Sequence, residues 1–379
     1  MILLVDDEVL NRKLLQWSLS KAGYEFIHAT NGHEAIKIAQ AGGVDIILLD
    51  LMMPELDGFG FLEWKNTAPV EIREIPVIVN SALSDMDSIK RALNMGAYDY
   101  FSKPLSSDAL EVLLPTKVKN AIESSRALRA LRQRTEELNA ELQAAERFQT
   151  SMLPSPDQFL PLRFQYLYRP CSLVGGDFFD VYRIDANRIA LFIGDVTGHG
   201  LKAGMMSFMV KSIFRELASR EPDPRPLVDS LNRALCQVFD AGHYITGVYG
   251  VFDFSRNVFE YANCAHPRPL LVNDGEAVRV IEGGGHFLGM MEDILIETGS
   301  LEFAHGARLL MYTDGVTEAL DTHGAQIETD GLARIVESLP PDDPAAWCAG
   351  VWDKVVERTG RQEFSDDVLV VACWADDVQ

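Results

Sequence analysis

The chain has 379 residues, enough for two domains of ordinary size with a connector between them. Its 34 basic residues against 56 acidic ones give a net charge of −22, which argues against a non-specific nucleic-acid binder and against an anionic membrane surface as partner. Apolar and charged contents of 47% and 24% are those of a globular chain, and no apolar run approaches the roughly 18 residues that span a bilayer. The opening MILLVDDE lacks the basic segment of a signal peptide. The five cysteines (171, 236, 264, 348 and 373) show no metal spacing and read as buried small apolar residues in a reducing compartment. A cytoplasmic protein is expected.

Residues 1–114 alternate short apolar runs (2–5, 25–28, 45–49, 76–79, 98–101) with segments of helical period (9–22, 32–41, 57–66, 84–95, 106–114). Five such alternations predict a doubly wound, flavodoxin-like α/β domain with a parallel sheet. The run Ile46–Leu49 is apolar at every position, as a strand buried on both faces requires. Four runs end in chemistry: Asp6 and Asp7, Asp50, Ser81, and Lys103 before Pro104. Ligands of open α/β sheets bind beyond the carboxyl ends of the strands. A carboxylate there can attack phosphorus and form an acyl phosphate. The reaction needs a hard divalent cation, and one to three carboxylates suffice to hold it. Asp6, Asp7 and Asp50 supply these, Lys103 a mobile positive charge, and Ser81 a hydroxyl in reach of the incoming phosphoryl group.

Residues 116–153 hold no glycine and are rich in Ala, Leu, Glu, Arg and Gln. A heptad places Ala121, Leu128, Thr135, Leu142 and Gln149 at one seam position and Ser124, Leu131, Leu138, Ala145 and Met152 at the other. A single helix packed on a neighbouring domain would read alike. So long a helix otherwise has little to bury against, which favours a parallel two-stranded coil and hence a homodimer. Pro115 should kink or restart the helix, and Pro154 and Pro156 end it.

Beyond residue 160, strand-like runs (164–169, 178–184, 188–194, 246–254, 257–263, 269–273, 277–281, 301–303, 308–313, 367–374) and helical segments (200–219, 225–240, 329–338, 343–358) predict an α+β sandwich. Asp177, Asp195, Asp314, Asp366 and Asp367 all abut apolar runs. An ionised acid in such a place is costly unless paired or metal-bound. Lys202 is the basic residue nearest Asp195, and none flanks Asp314. Carboxylate-only clusters imply Mg²⁺ or Mn²⁺, and two such ions would activate a bridging water for attack on a phosphoryl group.

Two resemblances follow from these motifs. VDDE (5–8), DLMMPELDG (50–58), Ser81-Ala82 and YFSKP (100–104) resemble the receiver domain of two-component response regulators. The resemblance implies Asp50 as phosphoacceptor for a sensor histidine kinase. It implies Mg²⁺ held by Asp7, Asp50 and the carbonyl of Met52, with Asp6 acting through water. Ser81 and Tyr100 would be the switch pair. Pro115 departs from the expected fifth helix. VGGDFFD (174–180), GDVTGHGLKA (194–203), YANCAHPRPLL (261–271), FLGM (287–290), YTDGVTEA (312–319) and SDDVLVV (365–371) resemble the metal-dependent protein phosphatases (PPM superfamily), in the SpoIIE-like branch of bacterial sporulation and stress response.

That resemblance implies two Mn²⁺ or Mg²⁺ ions. Asp195 would bridge them, the Val196 carbonyl would bind one, Asp314 and Asp366 would complete the other, and Asp177 would bind a metal or its waters. His199 is expected to shape its turn and His266 to order a loop. Asn263-Cys264-Ala265-His266 stands for the family's Asn-Ala-Gly-His, and Val368-Leu369 for its Thr after Asp-Asp. The expected organisation is a receiver at 1–118, a helical coiled-coil linker at 119–153 and a phosphatase at 154–379. The implied substrate is a phosphorylated anti-sigma-factor antagonist. The rival is a catalytically weak adaptor that binds a sigma factor or anti-sigma component, which loss of the acids would mark. A DNA-binding output is disfavoured by the charge.

Overall fold

The computed structural model describes residues 1–82, 86–104, 106–240, 242–273, 276–340, 344–362 and 364–375, without the side chains of Ser81, Ala82, Asp157 and Pro344. The chain separates into two compact units, Met1–Leu138 and Asn139–Gln379.

The first unit runs β1 (Ile2–Val5), α1 (Val9–Ser20), β2 (Phe26–Ala29), α2 (Gly32–Ala41), β3 (Ile46–Asp50), α3 (Gly58–Thr67), α4 (Val70–Arg73), β4 (Val77–Ala82), α5 (Met86–Asn94) and β5 (Asp99–Lys103). The strands form one parallel sheet in the order β2-β1-β3-β4-β5. Alternate residues of the central strands feed two cores. Leu3, Val5, Ile47, Leu49, Val77 and Val79 face α2 and α3, whereas Ile2, Leu4, Ile46, Leu48 and Ile78 face α1 and the start of α6. The short α4 was not foreseen; Pro69, as its N-cap, directs it.

After β5 a π-helical turn at Ala109–Leu113 leads directly into α6 (Leu114–Ser151). Pro115 therefore stands where the helix restarts, as expected, α6 beginning at Leu114 after the π-helical turn. It lies at the second position of α6, where its missing N–H costs nothing, and the wider turn before it gives its ring room. The heptad reading needs correction at both ends. Ala121 is fully buried in the core beside α1, and Gln149 is buried and bonded to Gly175. Between them Leu128, Leu131 and Leu138 are 57%, 66% and 46% exposed, so only this middle stretch leaves an apolar seam uncovered by its own unit.

The second unit runs β6 (Leu162–Arg169), β7 (Phe178–Arg183), β8 (Arg188–Val196), α7 (Leu201–Ala218), α8 (Pro224–Val238), β9 (Ile245–Asp253), β10 (Val258–Cys264), β11 (Leu270–Val272), β12 (Arg279–Val280), β13 (Glu297–Glu302), β14 (Arg308–Tyr312), α9 (Asp314–Thr317), α10 (Glu328–Glu337), α11 (Pro344–Thr359) and β15 (Val368–Ala375). Two antiparallel sheets, β13-β10-β9-β8-β7 and β12-β11-β14-β15-β6, face each other. Phe179, Leu191, Phe252 and Phe259 of one meet Leu309, Met311, Leu369 and Val371 of the other. On the outer faces α7 and α8 cover the first sheet, and α10 and α11 the second. Of the cysteines, 264, 348 and 373 are buried as expected, but Cys171 is exposed and Cys236 half-buried. Cys171 lies in the loop after β6, where no sheet covers it.

Candidate functional site

The first unit gathers its acids at the carboxyl edge of the sheet. Asp6 follows β1, Asp50 ends β3 and Lys103 ends β5. Ligand oxygens of Asp6, Asp7 and Asp50 lie within 4.8 Å of one another. Asp6 and Asp50 are buried, and Asp7 is exposed. The Lys103 ammonium donates to Asp50 at 2.8 Å and to Asp6 at 3.0 Å. Asn11 donates to both oxygens of Asp6 at 3.1 Å, and Arg12 grips the Asp6 carbonyl. Burial raises the Asp50 carboxyl above the usual range; Lys103 opposes that rise and Asp6 adds to it. Burial also works against the Lys103 ammonium, but its bonds to Asp50 and Asp6 prevail and hold it above its usual value. The pocket is a neutralised acid pair awaiting a stronger cation, a donor set that fits Mg²⁺. Met52 is largely exposed, its N–H 3.5 Å from Asp50 Oδ1. The Ser81 side chain lies outside the described residues.

Tyr100 is partly exposed, and α6 reaches it directly. Lys117 donates to both oxygens of Asp99 at 2.6 and 2.7 Å and to the Tyr100 carbonyl at 2.9 Å, with its ammonium 5.3 Å from the Tyr100 ring centre.

The second unit collects its acids from both sheets. Asp177 precedes β7, Asp195 lies near the end of β8, Asp314 follows β14 and Asp366–Asp367 precede β15. The Asp195 and Asp177 carboxyls lie close enough to act on each other's ionisation. Asp177 Oδ2 accepts from the Thr313 hydroxyl at 2.6 Å, and that hydroxyl in turn accepts the Leu369 N–H at 2.9 Å. Burial, then repulsion from Asp314, Asp366 and Asp367, pushes Asp195 up to about 7. Burial, then Asp366 and Glu318, pushes Asp314 up to about 6. Burial and Asp195 hold Asp177 well above the usual range. Among the described residues, no lysine or arginine pairs with these four acids. A buried Asp177 with half-buried Asp195 and Asp314 and an exposed Asp366, unpaired with any protein cation among the described residues, is a donor set for Mg²⁺ or Mn²⁺.

Asp366 and Asp367 divide their work. Asp366 is exposed. Asp367 is 2% exposed and accepts the N–H groups of Cys171 at 2.8 Å and Gly176 at 2.6 Å, so it fastens the loop that delivers Asp177. That loop needs glycine at 176, where a Cβ would lie 2.6 Å from the Val196 carbonyl oxygen, and α9 needs it at 315, where a Cβ would overlap the Asp367 carbonyl.

Several supporting residues escaped the sequence reading. Gln149 accepts the Gly175 N–H at 3.2 Å and donates to its carbonyl at 2.8 Å. Thr313 bridges Asp177 to β15. Asp180, fully buried on β7, takes a bidentate pair from Arg215 of α7 at 2.6 and 2.8 Å. The one signal available in the sequence was Asp180 itself, an acid inside the apolar run FFDVY. His199 is exposed on the glycine turn. His266 is buried and its main chain is held on both sides by the Asn263 amide, which makes it part of an ordered loop.

The comparisons agree with this division. Residues 185–375 match the family model described as Stage II sporulation protein E (SpoIIE), and residues 2–114 the response regulator receiver domain. Phosphoserine phosphatase RsbP of Bacillus subtilis (strain 168) is 29% identical over 182 residues, 47% of this chain and 45% of that protein. The probable transcriptional regulator ycf27 of Cyanidium caldarium is 43% identical over 113 residues, 29% of this chain and 43% of that protein. The chain thus spans less than half the length of either relative. Phosphoserine phosphatase RsbU of Bacillus subtilis (strain 168) is 24% identical over 253 residues, 66% of this chain and 74% of that protein. The solved SiaA-PP2C domain of Pseudomonas aeruginosa shares the fold, with a TM-score of 0.59 at 18% identity, covering 64% of this chain and 98% of that one.

Proposed function

Because the chain belongs to the SpoIIE family through residues 185–375 and carries a response-regulator receiver domain at residues 2–114, we propose that it is a phosphorylation-controlled, metal-dependent protein serine/threonine phosphatase. The observation that carries the reading is the convergence of Asp177, Asp195, Asp314 and Asp366 with no cation of the protein's own. Two Mn²⁺ or Mg²⁺ ions, when bound, supply a water acidic enough to attack a phosphomonoester. Asp195 would bridge them, the Val196 carbonyl, Asp314 and Asp366 would complete the set, and Asp177 would hold a metal or its waters. Thr313 and Asp367 keep Asp177 and its loop in place. The exposed Asp366 and Asp7 leave each site open on one side, as a site that admits substrate must be.

The input is Asp50. A sensor histidine kinase would supply the phosphoryl group, Mg²⁺ would sit on Asp7, Asp50 and the Met52 carbonyl with Asp6 behind water, and Lys103 would pass from Asp50 to a phosphate oxygen. Ser81 and Tyr100 would report the change. Residues 1–118, 119–153 and 154–379 would serve as receiver, linker and output. The bonds from Lys117 to Asp99 and the Tyr100 carbonyl support α6 as the recipient of the signal. The uncovered leucines 128, 131 and 138 support a parallel homodimer through that helix.

The names of RsbP and RsbU support a phosphoserine substrate. An anti-sigma-factor antagonist is the substrate class this reading favours. No helix among the described residues is long and apolar enough to cross a membrane, which fits a cytoplasmic protein. The test is Mn²⁺-dependent hydrolysis of p-nitrophenyl phosphate by the full chain. Activity that is lost in Asp195→Ala supports the enzyme. Absence of activity at any Mn²⁺ concentration sinks it in favour of an adaptor.

A further inference from the structure

The chain between β12 and β13 forms a small hairpin beside the acid cluster. Leu288 of that hairpin pairs with Ile245, donating to its carbonyl at 2.9 Å and accepting its N–H at 3.0 Å. Ile245 stands opposite Val196 on its other side, in the β8–β9 ladder. Leu288 therefore lies two strand spacings, about 10 Å, from the Val196 main chain. A second strut joins the same two places. The Thr197 N–H donates to the Tyr244 carbonyl at 3.1 Å and the Tyr244 N–H to the Thr197 hydroxyl at 3.2 Å. The Tyr244 ring packs on that of Phe287, with centres 4.4 Å apart.

The hairpin is held from within. The His286 N–H donates to the Leu295 carbonyl at 3.1 Å across its base. Asn232, fully buried in α8, fastens its tip. The Asn232 amide donates to the carbonyls of Met291 at 2.9 Å and Glu292 at 3.0 Å, and accepts the Gly289 N–H at 2.8 Å. Leu288 and Ile294 turn inward against the core under α7 and α8. Met290, Met291 and Leu295 turn outward, 55%, 48% and 55% exposed, with Phe287 at 37% beside them. A main chain so firmly bonded does not leave four large apolar side chains in water through slackness. Apolar surface gathered in one place marks a binding site, and methionine adapts its shape to what it meets.

We propose that this hairpin is the docking surface for the protein substrate and takes apolar side chains that flank the phosphoserine. The inference rests on the phosphatase reading above, and it adds to that reading a preference for apolar flanks. The placement supports this occupant, because the patch is continuous with the turn that follows Asp195. An extended chain advances about 3.3 Å per residue. A phosphoserine at the metals thus brings residues about three to four positions along to Met290 and Met291.

The experiment measures kcat/KM of the full chain in Mn²⁺ for p-nitrophenyl phosphate and for two synthetic phosphoserine peptides. One peptide carries leucines at the third and fourth positions on both sides of the phosphoserine, and the other carries serines there. The parent should prefer the leucine peptide by about tenfold, the worth of partly burying one such side chain. The double variant Met290→Ser, Met291→Ser should lose that preference and keep the parent's rates on p-nitrophenyl phosphate and on the serine peptide. A thermal melt in EDTA checks its folding; if it does not fold, Met290→Ser alone should still cut the preference by about threefold. Equal rates on the two peptides in the parent overturn the docking role and leave the phosphatase reading intact. So does a preference that survives in the variant, or an equal fall on p-nitrophenyl phosphate. A preference that survives while the variant loses self-association in analytical ultracentrifugation gives the patch to a second copy of the chain. Hydrolysis of none of the three substrates by the parent overturns the phosphatase reading and the inference with it.

Discussion

Asp195→Asn should stabilise the metal-free protein while destroying its activity. Asp195 has a folded-state pKa of about 7 against 3.8 for an ordinary aspartate. The folded state therefore holds its proton more tightly than the unfolded chain does. A group of this kind favours folding below pH 3.8, and that contribution is lost as pH rises through about 7. The difference between 3.8 and 7 is worth about 4 kcal/mol at pH 8. Asparagine removes the charge but keeps the shape, and burying its amide costs about 1 kcal/mol. The expected net gain is about 3 kcal/mol. For a unit of this size that raises the melting temperature by about 6–12 °C. The assay is a thermal melt of the full chain in EDTA, at pH 5 and pH 8. The gain should be large at pH 8 and shrink at pH 5, where the parent is already mostly protonated. Added Mn²⁺ should raise the melting temperature of the parent and leave the variant where it was. A variant less stable than the parent at pH 8 without metal, or a gain independent of pH, refutes the claim that these carboxylates repel one another in the absence of an ion.

Three further outcomes test the rest. Lys117→Met removes the bonds to Asp99 and the Tyr100 carbonyl; the chain should still bind beryllofluoride at Asp50, but the change in phosphatase rate that follows should fall by at least about half, a partly exposed pair of this kind being worth about 1 kcal/mol. An unchanged response rules out Lys117 as the link. Gln149→Leu leaves the Gly175 N–H and carbonyl without their partner, and should lower turnover about tenfold, at about 1–3 kcal/mol for buried groups left unpaired; undiminished turnover shows that the Asp177 loop needs no support from α6. Leu131→Asp puts a charge on the uncovered seam and should convert a dimer to a monomer in analytical ultracentrifugation. A dimer that survives places the interface elsewhere.

The strands were legible because each is a run of apolar residues in a sheet that buries both faces. Ile46, Ile47, Leu48 and Leu49 are all 0–1% exposed. An acid at the end of such a run stands out, and this made Asp50, Asp195 and Asp314 visible. Gln149 was not visible as a support. Its partners are main-chain groups 26 residues away, which carry no side-chain signature, and its spacing fitted a heptad. Thr313 and Arg215 were hidden for the same reason: their partners lie 136 and 35 residues off. By position along the chain alone Asp366 and Asp367 look alike, since both precede β15. Only the fold shows that one faces outward and the other ties down a loop.

The two acid clusters differ in one respect that decides their chemistry. At Asp50 the protein supplies its own cation, Lys103, at 2.8 Å, so the pocket is tolerable when empty and can wait for a phosphoryl group. At Asp195 none among the described residues pairs with the acids, and burial with mutual repulsion favours their protonated forms instead. Binding a divalent ion there must expel those protons, which makes metal affinity steeply dependent on pH between about 5 and 8. Any movement that alters the spacing of Asp177, Asp195 and Asp314 changes the cost of bringing them together, and so changes metal affinity before it changes anything else. Gln149, at the end of α6, bonds both main-chain groups of Gly175, two residues before Asp177. A helix displaced by a fraction of an ångström would act on that spacing directly, so control through the linker is expected to appear first as a change in Mn²⁺ affinity, with the rate at saturating metal changing less.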